Sequence, residues 1–265
     1  MIRVVVTGAG GRMGREVCRG VLHDPELELA GAVDVRSVGA DIGDLIGERP
    51  VGLRVTEDLR RCLETGQASV VVDFTNSQAC MGNARLAVRF GLNLVIGTTG
   101  MSTREIDELH ALAEEQGVGI LLAPNFALGA VLMMHFAQTA ARYFPQVEII
   151  EMHHDQKLDA PSGTALKTAE LILSARGEAP GAKVQEQERL AGCRGGNYEG
   201  VRIHSLRLPG FVAHQKVVFG GNGQTLSIQH DSLSRESFIP GVLLAIKEVG
   251  RLRGLVYGLE NILNL

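Results

Sequence analysis

Near its N-terminus the chain carries a β-branched run, residues 2–6 (IRVVV), that meets Gly8, Gly10, Gly11 and Gly14 and then continues in a helical pattern through Val17, Val21 and Leu22. A strand that turns through glycines directly into a helix is the opening unit of an open parallel α/β sheet. The pattern repeats. Apolar strands are read at 27–33 (LELAGAV), 69–75 (SVVVDFT), 92–100 (LNLVIGTTG) and 118–123 (VGILLA), with helices over 77–90 and 102–116 between the later ones. Strands that are apolar at every position, rather than at alternate positions, belong to a sheet covered on both faces.

The pattern changes after residue 127. A long apolar helix from Leu128 leads into a strand at 146–154 (QVEIIEMHH), a loop, a helix over 163–175 and a polar irregular stretch over 177–200. Three strands at hairpin spacing follow, VRIHSLRL, VAHQKVVFG and TLSIQHD, joined by Pro209-Gly210 and by Gly221-Asn222-Gly223. A helix over 235–249 comes next, and the last fifteen residues are too few for a domain of their own. The expected fold is therefore α/β, a Rossmann-type parallel-sheet domain over 1–127 on which the segment 240–265 packs back. An α+β mixed-sheet domain is expected over 128–239.

Composition narrows the function. The 265 residues include 33 Gly, roughly 12% against a usual ~7%, with only 8 Pro and no G-X-Y period, so the glycines serve chosen backbone positions. Acidic and basic residues number 30 and 26, a net charge of −4 with both signs interspersed, which speaks against nucleic acid as partner. Residues 117–141 carry no Asp, Glu, Lys or Arg and match a membrane span in length, but Pro124 and Asn125 break the run into a strand and a helix, so no membrane partner is expected. Cys18, Cys62, Cys80 and Cys193 form no C-x-x-C pair, and no signal-peptide pattern precedes the first strand, so a reducing cytoplasm is expected.

The first candidate site is the loop VTGAGGRMG. Dinucleotide binding needs a sharp turn, close backbone approach to a pyrophosphate and a helix N-terminus aimed at it. Here the glycines fit as Gly8, Gly11 and Gly14, one residue longer than G-x-G-x-x-G. Asp34 lies 20 residues beyond Gly14 at the end of the second strand, where a carboxylate takes hydrogen bonds from adenosine ribose hydroxyls. That favours NADH, while Arg12 and Arg36 offer guanidinium groups for the extra phosphate of NADPH. Gly97, Thr98 and Thr99, and the Ala123-Pro124-Asn125-Phe126 turn, end later strands on the same carboxyl edge.

The second candidate site is EMHHDQKLDAPSGTAL, residues 151–166. Pro161 and Ser162 ahead of Gly163 and Thr164 open a helix whose free N–H groups favour a carboxylate, and Lys157 adds a full positive charge. His153 and His154 follow a strand, so their side chains point to opposite sides and do different work. That opposition also argues against a zinc site built from His153, His154, Asp155 and Asp159, and no metal is expected. Two rivals are weighed on the same scaffold. An aldehyde-oxidising dehydrogenase needs an activated Cys, and a non-enzymatic dinucleotide sensor leaves the His-Lys-Ser-Gly-Thr cluster without a task. His214 and His230 on the later strands are further candidates.

The motifs GAGGRMG, DFT, VIGTTG, APNF, HHDQKLDAPSGTA and HDSLSRESF run the length of the chain, which through them resembles the 4-hydroxy-tetrahydrodipicolinate reductases (dihydrodipicolinate reductases) of lysine and diaminopimelate biosynthesis. The HH-x-x-K-x-DAPSGTA run carries most of the specificity. The resemblance implies a homotetrameric NAD(P)H-dependent oxidoreductase acting on a small cyclic dicarboxylate. It implies His153 as catalytic proton donor and acceptor and Lys157 as second donor or orienting cation. His154, Ser162, Gly163 and Thr164 would bind the dicarboxylate, and Gly8, Ala9, Gly10, Gly11, Arg12, Met13, Asp34, Gly97, Thr98, Thr99, Ala123, Pro124, Asn125 and Phe126 the cofactor. Val35 stands where some members of the family carry Arg for the 2′-phosphate.

Overall fold

The computed structural model describes residues 1–177, 187–263 and 265, so part of the stretch read as polar and irregular, 178–186, lies outside the described residues. The chain divides into two compact units, one formed by Met1–Ala127 with the segment starting at Arg235, the other by Leu128–Ser234. In chain order the first unit opens with β1 (Ile2–Thr7), α1 (Arg12–His23), β2 (Leu27–Val33), α2 (Ile42–Ile46), α3 (Leu59–Gly66) and β3 (Val70–Asp73). It continues through α4 (Ser77–Arg89), β4 (Asn93–Ile96), α5 (Thr103–Gln116) and β5 (Gly119–Leu122). The second unit holds α6 (Leu128–Ala141), β6 (Gln146–His153), α7 (Gly163–Ala175), β7 (Gly196–Tyr198), β8 (Val201–Arg207), β9 (Ala213–Gly221) and β10 (Gln224–Ser232). The chain then supplies α8 (Ile239–Glu248) and β11 (Gly254–Tyr257) to the first unit.

The first unit's sheet runs β11-β5-β4-β3-β1-β2, parallel throughout. Val4, Val5, Val6, Val71, Val72, Val95 and Ile96 are wholly buried, as strands covered on both faces must be. Strand order reverses beside β1, between β2 and β3, and such a switch point opens a crevice at the carboxyl ends of the strands. The helices start where side chains can satisfy their first N–H groups: Ser102 and Glu105 form a capping box on α5, and Asn76 accepts from Ala79 N on α4.

Three segments here differ from or extend the sequence reading. The stretch 35–68 contains α2 and α3, capped by Asp41 and Asp58. The helix read over 235–249 is instead a 3-10 turn (Arg235–Phe238), then α8, then a second 3-10 turn (Val249–Arg251). Pro240 at the second position of α8 has no N–H to donate back, so the α-helical ladder begins there. The C-terminal segment adds β11 to the edge of the sheet, paired with β5.

The second unit's sheet runs β10-β9-β6-β8-β7, and this corrects the reading of β8, β9 and β10 as successive hairpins. Only β9 and β10 pair in that way; β6 lies between β8 and β9, parallel to the first and antiparallel to the second. The reason lies in β6 itself. It buries Val147, Ile149 and Glu151 on one face and half-buries Glu148, Ile150 and Met152 on the other, which suits a central strand. The Pro209-Gly210 segment does not close a hairpin but crosses the end of β6, with Leu208 N donating to the carbonyl of His153 at 3.1 Å. Helices α6 and α7 pack on the face that carries the first stripe.

A buried carboxylate organises the carboxyl edge of the first unit's sheet. Asp73, at the end of β3, accepts from the hydroxyls of Thr7 (2.6 Å), Thr75 (2.7 Å) and Thr98 (2.6 Å) and from the Asn83 amide (2.8 Å). These donors come from β1, α4 and the segments after β3 and β4, so one side chain ties four pieces of chain together. Asp73→Ala removes the short bonds of all four donors and leaves the hydroxyls only long contacts of 3.3–3.5 Å to backbone carbonyls, at about 1–3 kcal/mol for each buried group that stays unsatisfied. Urea unfolding is expected to show a loss of at least about 3 kcal/mol, and a loss below about 1 kcal/mol would contradict this role.

Candidate active site

The glycine loop of the first unit is shaped by contacts no side chain could share. Gly8 has φ +77°, and a Cβ there would lie 2.4 Å from the carbonyl oxygen of Phe74; at Gly14 it would lie 2.0 Å from that of Gly8. The turn closes with Gly11 N donating to Gly8 O at 2.9 Å, and α1 begins at the next residue. Gly11 as N-cap provides no side-chain acceptor and the first turn holds no acidic residue, so the N–H groups and positive dipole end face outward for an anion. These features fit a dinucleotide pyrophosphate.

Asp34 belongs to the loop physically as well as by spacing. Its carboxylate accepts from Gly10 N at 2.9 Å and from Arg36 N at 2.8 Å. Arg15, which sequence reasoning passed over, braces the same loop from α1 by donating to Gly10 O at 2.9 Å. Ala9 is buried, Met13 half-buried, and Arg12, Val35 and Arg36 exposed.

At the ends of β4 and β5 the candidates divide. Thr98 is buried, its hydroxyl donated to Asp73 and accepting from Thr75 N (2.8 Å), so its side chain is structural while Thr99 is exposed. A Cβ on Gly97 would strike the Phe74 ring at 2.1 Å. Ala123 and Phe126 are buried, with the Phe126 and Phe74 ring centroids 5.8 Å apart, leaving Pro124 and Asn125 at the surface of the turn. Asn125 Oδ1 accepts from Ala127 N at 2.9 Å, which holds the turn and leaves the amide NH₂ to point elsewhere.

In the second unit, residues 151–166 gather at the end of β6. Alternation along the strand puts Glu151 and His153 on one face, and His153 Nδ1 lies 2.5 Å from Glu151 Oε2. Glu151 is wholly buried. Arg207, beside His153 in the β6–β8 register, meets both its oxygens at 2.8 and 2.7 Å, and Ser162 N donates to Oε1 at 3.2 Å. Burial pushes the Glu151 carboxyl up, but the hydrogen bonds from Arg207, Ser205 and His153 outweigh it and hold it below its ordinary range. Burial likewise pulls His153 below its ordinary value, opposed by Glu151 and reinforced by Lys157 and Arg207. Neither Glu151 nor Arg207 was singled out from the sequence; the i, i+2 spacing of Glu151 and His153 was the available signal.

The other candidates of this segment lie close by in the chain. His154 is exposed, and its carbonyl accepts from Lys157 N at 3.2 Å. Lys157 Nζ meets both carboxylate oxygens of Asp159, at 2.7 and 2.8 Å; Asp159 is 63% exposed, so the pair is weak and open to exchange. Ser162 is buried and caps α7, accepting from Ala165 N at 3.2 Å. A Cβ on Gly163 would meet nothing within 4 Å, so the helix start has open space before it. Gly163, Thr164 and the helix dipole can therefore receive an anion.

His214 and His230 have structural partners. His214 Nδ1 sits 2.8 Å from Asp231 and its Nε2 accepts from Val212 N, while His230 packs under Gly129, where a Cβ would lie 2.5 Å from its ring. Burial raises the thiols of Cys18, to about 12, and of Cys62 and Cys80, the opposite of what a nucleophilic cysteine needs. Among the described residues no helix is long and apolar enough to cross a membrane.

Comparison with known proteins bears on both units. Residues 2–126 match the family model for the dihydrodipicolinate reductase N-terminus, and residues 129–263 that for its C-terminus. The chain is 59% identical to the 4-hydroxy-tetrahydrodipicolinate reductase of Moorella thermoacetica, covering 99% of this chain and 98% of that protein. It is 54% identical to the enzyme of the same name from Syntrophomonas wolfei, covering 98% of each. A dipicolinate-bound dihydrodipicolinate reductase from Paenisporosarcina sp. TG-14 superposes with a TM-score of 0.88 at 45% identity, over 99% of both chains. An amine dehydrogenase from Mycobacterium smegmatis, 18% identical with a TM-score of 0.67 over 96% of this chain and 94% of its own, shares the fold. Matched from end to end by both models and by close relatives, the chain belongs to the dihydrodipicolinate reductase family.

Proposed function

We propose that the protein is a 4-hydroxy-tetrahydrodipicolinate reductase, converting a cyclic unsaturated dicarboxylate to tetrahydrodipicolinate in lysine and diaminopimelate biosynthesis. The observation that carries this reading is His153, fastened through Nδ1 to a buried carboxylate beside a helix start with open space before it. The bound nicotinamide cofactor supplies the hydride. Gly8, Gly10, Gly11 and the start of α1, with Ala9, Arg12 and Met13, would hold its pyrophosphate, and Asp34 its adenosine ribose. The turns at Gly97–Thr99 and Ala123–Phe126 would border its nicotinamide end.

The protein's own share of the chemistry is charge and proton management. Lys157, released from Asp159, and the N–H groups of Gly163 and Thr164 would bind one carboxylate, with His154 at the other. Ser162 contributes by capping the helix that carries these donors. His153 would give a proton to the carbon next to the imine as electrons arrive there, then regain one from solvent. An imidazole suits this because it gains and loses a proton near neutrality. The dipicolinate bound by the Paenisporosarcina relative is a dicarboxylate of the same ring size, which supports this substrate class.

Both NADH and NADPH are proposed to serve. Asp34 beside Val35 favours the free ribose of NADH, and the exposed Arg12 and Arg36 can meet a 2′-phosphate. A cytoplasmic location fits the four free cysteines. A homotetramer is proposed because the half-buried stripe of Ile150, Met152, Leu206 and Val218 lies on the second unit's sheet face opposite its helices, where further copies would cover it.

Kinetics with each cofactor test the catalytic assignment. His153→Gln should lower kcat by about a hundred-fold with KM nearly unchanged, whereas Lys157→Ala should lower kcat and raise KM. Wild-type turnover in the His153 variant would remove it from the mechanism. Sedimentation velocity at micromolar concentration should give a tetramer; a monomer would contradict assembly through the sheet.

A further inference from the structure

The geometry points to Glu151, clamped by Arg207, as the positioning residue that fixes His153 in its Nδ1–H tautomer and so makes Nε2 the atom that gives and regains the proton. This rests on the acid–base reading of His153. Three observations carry it. Glu151 is wholly buried, and both its oxygens are met by the two terminal nitrogens of Arg207, at 2.7 and 2.8 Å. A carboxylate held by a guanidinium fork is ionised and can only accept. His153 Nδ1, 2.5 Å from Oε2, must therefore be the donor, and the exchangeable position is left at Nε2.

The same carboxylate also accepts Ser162 N at 3.2 Å, the residue that caps α7. One buried group thus sets the orientation of the imidazole and anchors the helix start proposed to hold the substrate carboxylate. Arg207 is itself held, donating to the carbonyls of Leu206 and Asp159, both at 2.7 Å. The charged groups facing the imidazole are Glu151 from β6, Arg207 from β8 and Lys157 from the following loop. Glu151 alone favours the imidazolium, so it also sustains the protonated form that donates.

A purely structural ion pair would not dictate the tautomer, and this separates the two roles. Long-range ¹H–¹⁵N spectra of the histidine-labelled full-length protein, with the His153 signals identified by their loss in His153→Gln, read the tautomer directly. The wild type should show the Nδ1–H form above its titration. Glu151→Gln should shift His153 toward the Nε2–H form, lower the apparent pKa of its imidazolium in the kcat profile, and reduce kcat about ten- to a hundred-fold. KM for the cofactor should stay within about two-fold.

A double variant, E151Q/R207M, leaves no unpaired buried charge and should fold with the same tautomer shift and the same loss. An Nε2–H wild type overturns the proposal whatever the variants do. So does unchanged kcat in Glu151→Gln or the double variant while His153→Gln is impaired. Full activity in His153→Gln, with the wild type in the Nδ1–H form, instead removes the acid–base reading and leaves the tautomer assignment standing.

Discussion

The pairing of the wholly buried Glu151 with the half-buried Arg207 is the interaction on which the chemistry proposed for the second unit depends. Taking a carboxylate and a guanidinium out of water costs several kcal/mol for each ion, and their attraction offsets this only when geometry is good and the remaining hydrogen-bonding positions are filled. Here the carboxylate and the two terminal guanidinium nitrogens are satisfied by groups of the proposed site and its frame, the imidazole of His153, the backbone of Ser162 and the carbonyls of Leu206 and Asp159, while Arg207 Nε is buried without a hydrogen-bond partner. A pair of apolar residues of similar volume could hold β6 and β8 together as well. It could not orient an imidazole, and that difference gives a physical reason for placing a charge pair in this position.

The first unit solves a parallel problem with the opposite means. Asp73 is buried among three hydroxyls and an amide rather than against a cation. Hydroxyls rotate to satisfy the acceptor and bring no competing positive charge to a crevice proposed to hold a pyrophosphate. The anion is left to backbone N–H groups, which need close approach, and close approach needs the missing Cβ atoms of Gly8 and Gly14. Asp34, bonded to Gly10 N and Arg36 N, lets the carboxylate proposed to meet the adenosine ribose double as a brace for that loop.

Much of this was legible in the sequence where the signal is local. Fully buried parallel strands are continuous apolar runs, so β1 to β5 stood out, as did the helix opening at Gly163. Pairings that depend on distant partners did not. β8 and β9 look like a hairpin because their spacing is short, yet β6, with apolar residues on both faces, lies between them. β11 is four residues long and acquires meaning only against β5. In the candidate site, His153, Lys157 and Ser162 share one segment and could be grouped by eye. Arg207, 56 residues beyond Glu151, enters only through strand register. The commitment of Thr98 to Asp73 was equally hidden, since a threonine after a strand reads the same whether its hydroxyl faces a ligand or a buried carboxylate.

The reaction proposed for the protein is a nicotinamide-dependent reduction of a dicarboxylate held by the His153 segment. Following the absorbance of reduced nicotinamide, with the substrate generated in place by a 4-hydroxy-tetrahydrodipicolinate synthase, tests it most directly. Oxidation of NADH or NADPH that begins only when the synthase product is supplied is the predicted result. No oxidation of either cofactor in the presence of that product would contradict it.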